Sequence, residues 1–227
     1  MFLKTKNRKA LSAVLTTLII LVASVVLGTG VVLFGTSLFQ TNSQSSGLTV
    51  QGVHVWINAK SPTTYAWGAA EIRNSGDKIL SVDQIQVRGQ QIPYSSWYFD
   101  SNSSRVTAAN FQSQLAYTGT ATSNPIGQMA SSNGTVLAQC QGSGSLYGVS
   151  NTLFAINEFG SSSSNPTLCF VPSSGPISMK PGDRAVVYFQ VPNGILSTVD
   201  GGSNSNVAIY SGSVGSPQSV TIQSEQN

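Results

Sequence analysis

Residues 1–40 read MFLKTKNRKA followed by LSAVLTTLIILVASVVLGTGVVLFGTSLFQ, and this stretch decides how the rest of the chain is read. The first ten residues carry Lys4, Lys6, Arg8 and Lys9. From Leu11 to Phe39 there is no charge, and the next formal charge is Lys60. A basic head before an uncharged apolar run is either an export signal or a membrane anchor. Length separates the two. A secretory apolar region needs about 7–15 residues and a membrane span about 20. As a helix, Leu11–Phe39 would be roughly 44 Å long at ~1.5 Å per residue, more than a hydrocarbon core of about 30 Å. No A-x-A-like cleavage site lies within or just after the run, and no cysteine follows it for a lipid anchor. The expectation is a single span with its head held on the cytoplasmic side by its charge and the remainder of the chain outside.

Within the run, Ser24 and Gly28 have the small-xxx-small spacing that lets membrane helices approach closely. Gly30 and Gly35 follow. The valines and threonines lower intrinsic helix propensity. In lipid, however, any other conformation leaves backbone groups unpaired, so helix is still expected.

The head and the start of the run, Arg8-Lys9-Ala10 followed by Leu11-Ser12-Ala13, resemble the class III signal of archaeal type IV pilins and archaellins. The resemblance covers about the first forty residues. It implies cleavage between Ala10 and Leu11 by a prepilin peptidase, with Arg8 and Lys9 in the recognised segment, and retention of the helix in the mature chain. It also implies a homopolymer assembled by an ATPase and a membrane platform protein, in which helices form the core and outer domains the surface. Two departures matter. Ala10 stands where many family members have Gly, and Leu15 stands where bacterial pilins have a glutamate, which points to the archaeal branch. Lys9-Ala10-Leu11-Ser12 is more similar to the start of an archaeal pilin than to the Gly-containing archaellin start. An adhesive pilus is therefore expected ahead of an archaellum. The competing class is a single-span surface protein whose β domain binds a ligand or an envelope component and never polymerises.

Charge agrees with removal of the head. Without its four cations, 11 basic residues fall to 7 against 8 acidic, a net −1 in place of +3. The pI near 9.0 thus reflects the leader. No basic patch remains to suggest nucleic acid.

The domain plan expected is a leader over 1–10, a helix over 11–40, a polar hinge over 41–47 and a β domain over 48–227. In the last part, charge is sparse, Gly, Ser, Asn and Thr are abundant, and short β-branched and aromatic runs recur between turn residues. This is the pattern of an all-β, Ig-like sandwich. Strands are expected at Thr49–Asn58 (Val53, Val55 and Ile57 on one face), Tyr65–Ile72, Ile79–Val87, Gln91–Phe99 and Phe111–Tyr117. Further strands are expected at Leu168–Val171, Arg184–Val191, Val207–Tyr210 and Ser219–Ile222. Leu153–Phe159 reads as a strand or a short helix, and Asp100–Pro166 is the least legible region.

Cys140 and Cys169 are the only cysteines. Outside the cell a disulfide is expected; the alternatives are two separate buried thiols or a metal pair. Asn102-Ser103-Ser104 and Asn133-Gly134-Thr135 fit the N-glycosylation pattern. Catalytic chemistry lacks a residue set. His54 is the only histidine, it lies mid-strand, and any Ser-His-Asp or Cys-His device would have to use it. One histidine is too few for a blue-copper site, and a structural zinc site fails for lack of ligands. Asp200 with Asn204 and Asn206 could chelate calcium, but VDGGSNSN reads more simply as a turn. Trp56, Trp67 and Trp97 read as strand aromatics rather than a sugar platform. No Gly-rich phosphate loop joins a strand to a helix. An enzyme, a cofactor and a metal are therefore not expected.

Overall fold

The computed structural model describes residues 6–43, 47–58, 66–108, 134–141, 144–156 and 167–225. The chain divides into two units, Met1–Ser45 and Ser46–Asn227.

The first unit is one helix, α1, Lys6–Ser43. No proline interrupts it and no acidic residue lies in its first turn. Its hydroxyls turn back on the helix: Thr16 Oγ1 donates to the Ser12 carbonyl (2.8 Å), Ser24 Oγ to Leu21 (2.9 Å) and Thr29 Oγ1 to Val25 (2.9 Å). These hydroxyls are thus satisfied within the helix, as a dry environment requires. Ser12–Phe34 is long and apolar enough to cross a membrane. Its large side chains, from Val14 to Phe34, are exposed on the single chain.

The second unit is mostly β. Its elements are β1 (Leu48–Asn58), β2 (Ala66–Asn74), β3 (Leu80–Val82), β4 (Gln84–Val87), β5 (Gln90–Gln91), β6 (Trp97–Asp100), α2 (Gly134–Cys140) and β7 (Phe154–Ile156). They continue with β8 (Leu168–Pro172), β9 (Ile177–Met179), β10 (Arg184–Val191), β11 (Asn204–Ser211) and β12 (Val214–Glu225). A mixed 10-stranded sheet has the order β5-β4-β11-β12-β1-β2-β10-β6-β8-β7, and β3 pairs with β9 separately. All the strand pairs are antiparallel except β1 with β12. β12 changes partner along its length. Val214–Thr221 pairs with β11, and Ile222–Glu225 pairs with β1.

Alternation along the central strands feeds two cores. On β10, Ala185, Val187, Phe189 and Val191 enter one core, while Val186 and Tyr188 enter another. The first core adds Ile85 and Val87 of β4, Val207 and Ile209 of β11, and Trp97. The second is closed by Phe154, Ile156, Leu168 and Phe170 of β7 and β8. Such double burial is why β2 and β10 read as nearly continuous apolar runs.

Several expected strands take a different form. In β1 the apolar set Leu48, Val50, Val53, Val55 and Ile57 slips phase by one residue. A bulge between Gln51 and His54, with Gly52 at φ 56°, absorbs the slip and keeps the whole set toward the first core. Ile79–Val87 is two strands, because Asp83 hands the chain from β9 to β11: its N–H donates to the Tyr210 carbonyl (3.1 Å) and its carboxylate accepts Gly212 N–H (3.1 Å). Gln91–Phe99 is broken after β5, where Pro93 (φ −67°) precedes a 3₁₀ turn at Tyr94–Ser96; proline cannot donate to a ladder. Leu153–Phe159 contains β7, and α2 stands in the region that was hardest to read. Phe111–Tyr117 lies outside the described residues. The fold therefore has the expected helix and a β-rich domain.

Gly68 on β2 marks the tightest approach in the first core: a Cβ there would collide with the Phe189 ring. Gly68→Ala should cost about 1–3 kcal/mol of stability as overpacking, read as a lowered urea midpoint at unchanged slope.

Candidate functional site

The residues singled out from the sequence fall at separate places in the fold. Arg8, Lys9, Ala10 and Leu11 all lie within α1, so the helix runs unbroken through the expected cleavage point. Ser24 and Gly28 lie further along it, both exposed. A Cβ at Gly28 or Gly30 would meet no neighbouring atom. Glycine costs about 1 kcal/mol against alanine in a helix interior, and no packing within the chain recovers that cost.

Cys140, the last residue of α2, is bonded to Cys169 on β8, with Cα atoms 5.8 Å apart. Both are buried beside Ala155, with Leu137, Tyr147 and Val149 around them. The bridge closes a separation of 29 residues, contributing about 3–4 kcal/mol in the chain-entropy account.

Beside it lies a polar cluster that the sequence reading missed. Asp100, at the end of β6, is fully enclosed. Its Oδ2 accepts Arg105 Nε (2.7 Å) and the Cys169 backbone N–H (2.8 Å). Its Oδ1 accepts an Arg105 terminal nitrogen (2.9 Å) and the Asn102 N–H (3.0 Å). Arg105 also stands 5.5 Å from the centre of the Tyr147 ring. This bidentate pair fixes the loop after β6 to the strand that carries the disulfide. The signal was local: Asp100 and Asn102 each accept the N–H two residues on, forming successive Asx turns. Nothing in the sequence showed that the pair would be buried.

Asn102 is exposed at the outer corner of those turns, and its side-chain oxygen accepts the Ser104 N–H at 2.9 Å. Asn133 lies outside the described residues. His54 is half-buried on β1, stacked on Trp56 (5.5 Å), with Nδ1 3.4 Å from Gln223 Nε2; burial lowers its pKa. An indole and an amide give it no catalytic relay. Trp56, Trp67 and Trp97 are all buried.

Asp200 forms a turn, as the simpler reading of VDGGSNSN has it. Its carboxylate pairs with Arg88 (2.8 Å) and accepts the Ser197 N–H (2.7 Å), and these bonds lower its pKa to about 2. The Asn204 side-chain oxygen is bonded to Thr221. Among the described residues no group of three or more His, Cys, Asp or Glu could hold a metal ion.

One carboxylate does depart from the expected pattern. Glu71 on β2 is 1% exposed. Its Oε2 accepts Gln51 Nε2 at 3.3 Å, and its Oε1 has no partner. Burial raises its pKa to about 7 against the smaller opposing effect of Gln51.

No protein-family model matches the chain, and no curated protein matches it.

The two ion pairs should separate on mutation. Arg105→Gln leaves Asp100 buried and uncompensated and should cost about 3–5 kcal/mol. Arg88→Gln, at an exposed pair, should cost less than about 1 kcal/mol. Urea unfolding of both variants checks the contrast.

Proposed function

We propose that this chain is the precursor of a structural subunit of an archaeal type IV-like surface filament, an adhesive pilus in preference to an archaellum. On this reading it is a single-pass membrane protein before assembly and part of an extracellular filament afterwards. Its partners are a prepilin peptidase, an assembly ATPase, a membrane platform protein and other copies of itself.

The observation that carries the reading is α1. A basic head joins, without a break, a helix whose apolar side chains from Val14 to Phe34 are exposed and whose Thr16, Ser24 and Thr29 hydroxyls are bonded internally. Such a helix is at home in lipid and equally in a dry bundle of like helices. Loss of the head removes the charges that hold the chain at the cytoplasmic face. Gly28 and Gly30, which serve no packing within the chain, suit close approach by a neighbouring helix.

The β domain is read as an Ig-like sandwich. The orders β1-β2-β10-β6 and β5-β4-β11-β12 follow the A-B-E-D and C′-C-F-G arrangements of that fold. On this assignment β7, β8 and β9 form an insertion between strands D (β6) and E (β10) of the sandwich. The first core draws side chains from both groups, which supports the reading. Exposure of Asn102 supports its use as a glycan acceptor on the outer surface.

N-terminal analysis of the mature protein is expected to find Leu11. A start beyond about Thr41 would mean ordinary secretion, and an intact Met1 an anchored surface protein; either overturns the filament reading. Gly28→Leu is expected to lower the yield of sheared filaments at least several-fold while leaving membrane insertion intact, measured by fractionation and electron microscopy.

A further inference from the structure

The outer side of the β5-β4-β11-β12 group carries amides, hydroxyls and one aromatic ring, and no charge. Ile85 and Val87 of β4 and Val207 and Ile209 of β11 point into the first core. Their strand neighbours therefore face outward, and the register sets them in rows across the strands. One row is Gln91, Gln86, Ala208 and Pro217. The row on one side of it is Gln84, Tyr210 and Gly215, and on the other side Asn206 lies opposite Ser219. Gln91, Asn206, Pro217 and Ser219 are exposed, while Gln84, Gln86 and Tyr210 are half-buried. Gln84–Val87, Gln90–Gln91, Asn204–Ser211 and Val214–Thr221 contain no Asp, Glu, Lys or Arg.

Tyr210 lies on this surface rather than standing away from it. Gly215, its partner on β12, makes the room: a Cβ there would collide with the Tyr210 ring. One side of the ring thus rests on the Gly215 backbone, and the ring stays half-exposed. Ala208 and Pro217 keep the neighbouring row low. Among the described residues, the side-chain amides of Gln84, Gln86, Gln91 and Asn206 make no hydrogen bond within the chain. Asn204, by contrast, accepts the Thr221 hydroxyl at 3.0 Å. Each free amide offers two donors and a carbonyl acceptor.

Size, edge chemistry and charge select the occupant. Four strands about 4.8 Å apart and six residues at ~3.4 Å each give a face of about 300 Å². A stable interface with a second copy takes about 800 Å² from each partner and an apolar centre. Strand addition by a second copy is opposed at the edge. The Asn206 and Tyr210 carbonyls accept N–H groups from Arg88 and Asp83 on the β4 side. Ala208, in the same phase, also directs its backbone toward β4, so its partner Pro217 turns its nitrogen away from β11. The outer edge of β12 therefore lacks a donor at its middle. Nucleic acid and anionic lipid need cations, and these strands have none.

We propose that this face binds a neutral, unbranched polysaccharide whose chain is ribbon-like. A sugar ring is apolar on its C–H faces and polar at its rim. Tyr210 stacks against a ring face, and the Gln84, Gln86 and Asn206 amides, in the same and the adjoining rows, exchange hydrogen bonds with the hydroxyls at the rim. The ligand is neutral because no charge on these strands would pair with one. A ribbon fits because Ala208, Gly215 and Pro217 raise no wall beside Tyr210. The site gives the β domain an adhesive role whether or not the chain polymerises, so it does not depend on the filament reading.

The test uses the full chain in micelles of a detergent without a sugar headgroup. It is titrated with cellohexaose, mannohexaose and chitohexaose, and with an oligogalacturonate as the charged control. In ¹H–¹⁵N spectra of the wild-type chain, at least one neutral hexasaccharide is expected to shift the Gln84, Ala208 and Gly215 amides, with an affinity that salt does not change. Tyr210→Ala is expected to weaken binding about tenfold, the upper end for one aromatic contact, and Tyr210→Phe to retain most of it. No shift at these amides with any of the three sugars, shifts confined to another surface, or equal affinity in Tyr210→Ala would overturn the proposal. So would tighter, salt-sensitive binding of the oligogalacturonate. Self-association in sedimentation that Tyr210→Ala abolishes would assign the face to a second copy and overturn it as well. The wild-type spectra decide the matter even if a variant folds poorly.

Discussion

The antiparallel pairing of β2 with β10 is the constraint on which the β domain depends. Eight residues of each strand are in register, from Arg184 opposite Arg73 to Val191 opposite Ala66. Apart from the exposed Arg73 and the half-buried Arg184 and Gln190, both strands are buried on both faces, so their apolar side chains must fit one core or the other. Small residues on β2 make this possible. Ala66, Gly68 and Ala70 leave room on the first face for Phe189, while Ala69 on the second lies opposite Tyr188. Enlarging one side disturbs a close packing, as the approach of the Phe189 ring to Gly68 shows.

Polar groups enter this interior under different terms. Asn74 is buried yet satisfied: its side chain donates to the Lys78 and Met179 carbonyls and accepts the Gly76 N–H, binding the turn after β2 to the end of β9. Asp100 and Arg105 neutralise each other and tie the loop after β6 to β8. Glu71 alone among these is left with an unused oxygen. A structure that meets the needs of Asn74 and Asp100 so fully makes the incomplete pairing of Glu71 informative, because buried polar groups are ordinarily satisfied.

Different rules govern α1. Its apolar residues surround the helix rather than forming one stripe, as suits a helix surrounded by lipid or by other helices. Its stability as a helix comes from backbone bonds and internally bonded hydroxyls, and Gly28 and Gly30 serve no packing within the chain.

Much of this was legible because the relevant signals are local. The charge-free run after Lys9 determined the helix. Alternation at Ala185, Val187, Phe189 and Val191 determined a strand and its inward face. Two isolated cysteines indicated their pairing, and VDGGSNSN indicated a turn. What only the tertiary structure decided depended on residues distant in sequence. The partner change along β12, the second core over β10, and the bulge at Gly52 follow from which strands meet. Phase within a single strand cannot reveal these. The opposite surroundings of Asp100 and Glu71 are the clearest case. Asp100 begins a local Asx turn and Glu71 lies mid-strand, but no local pattern shows that one would be buried with a cation and the other without. The difference arises because Arg105 and the Cys169 amide converge on one while only Gln51 reaches the other, and desolvation depends on what surrounds a charge in space rather than along the chain.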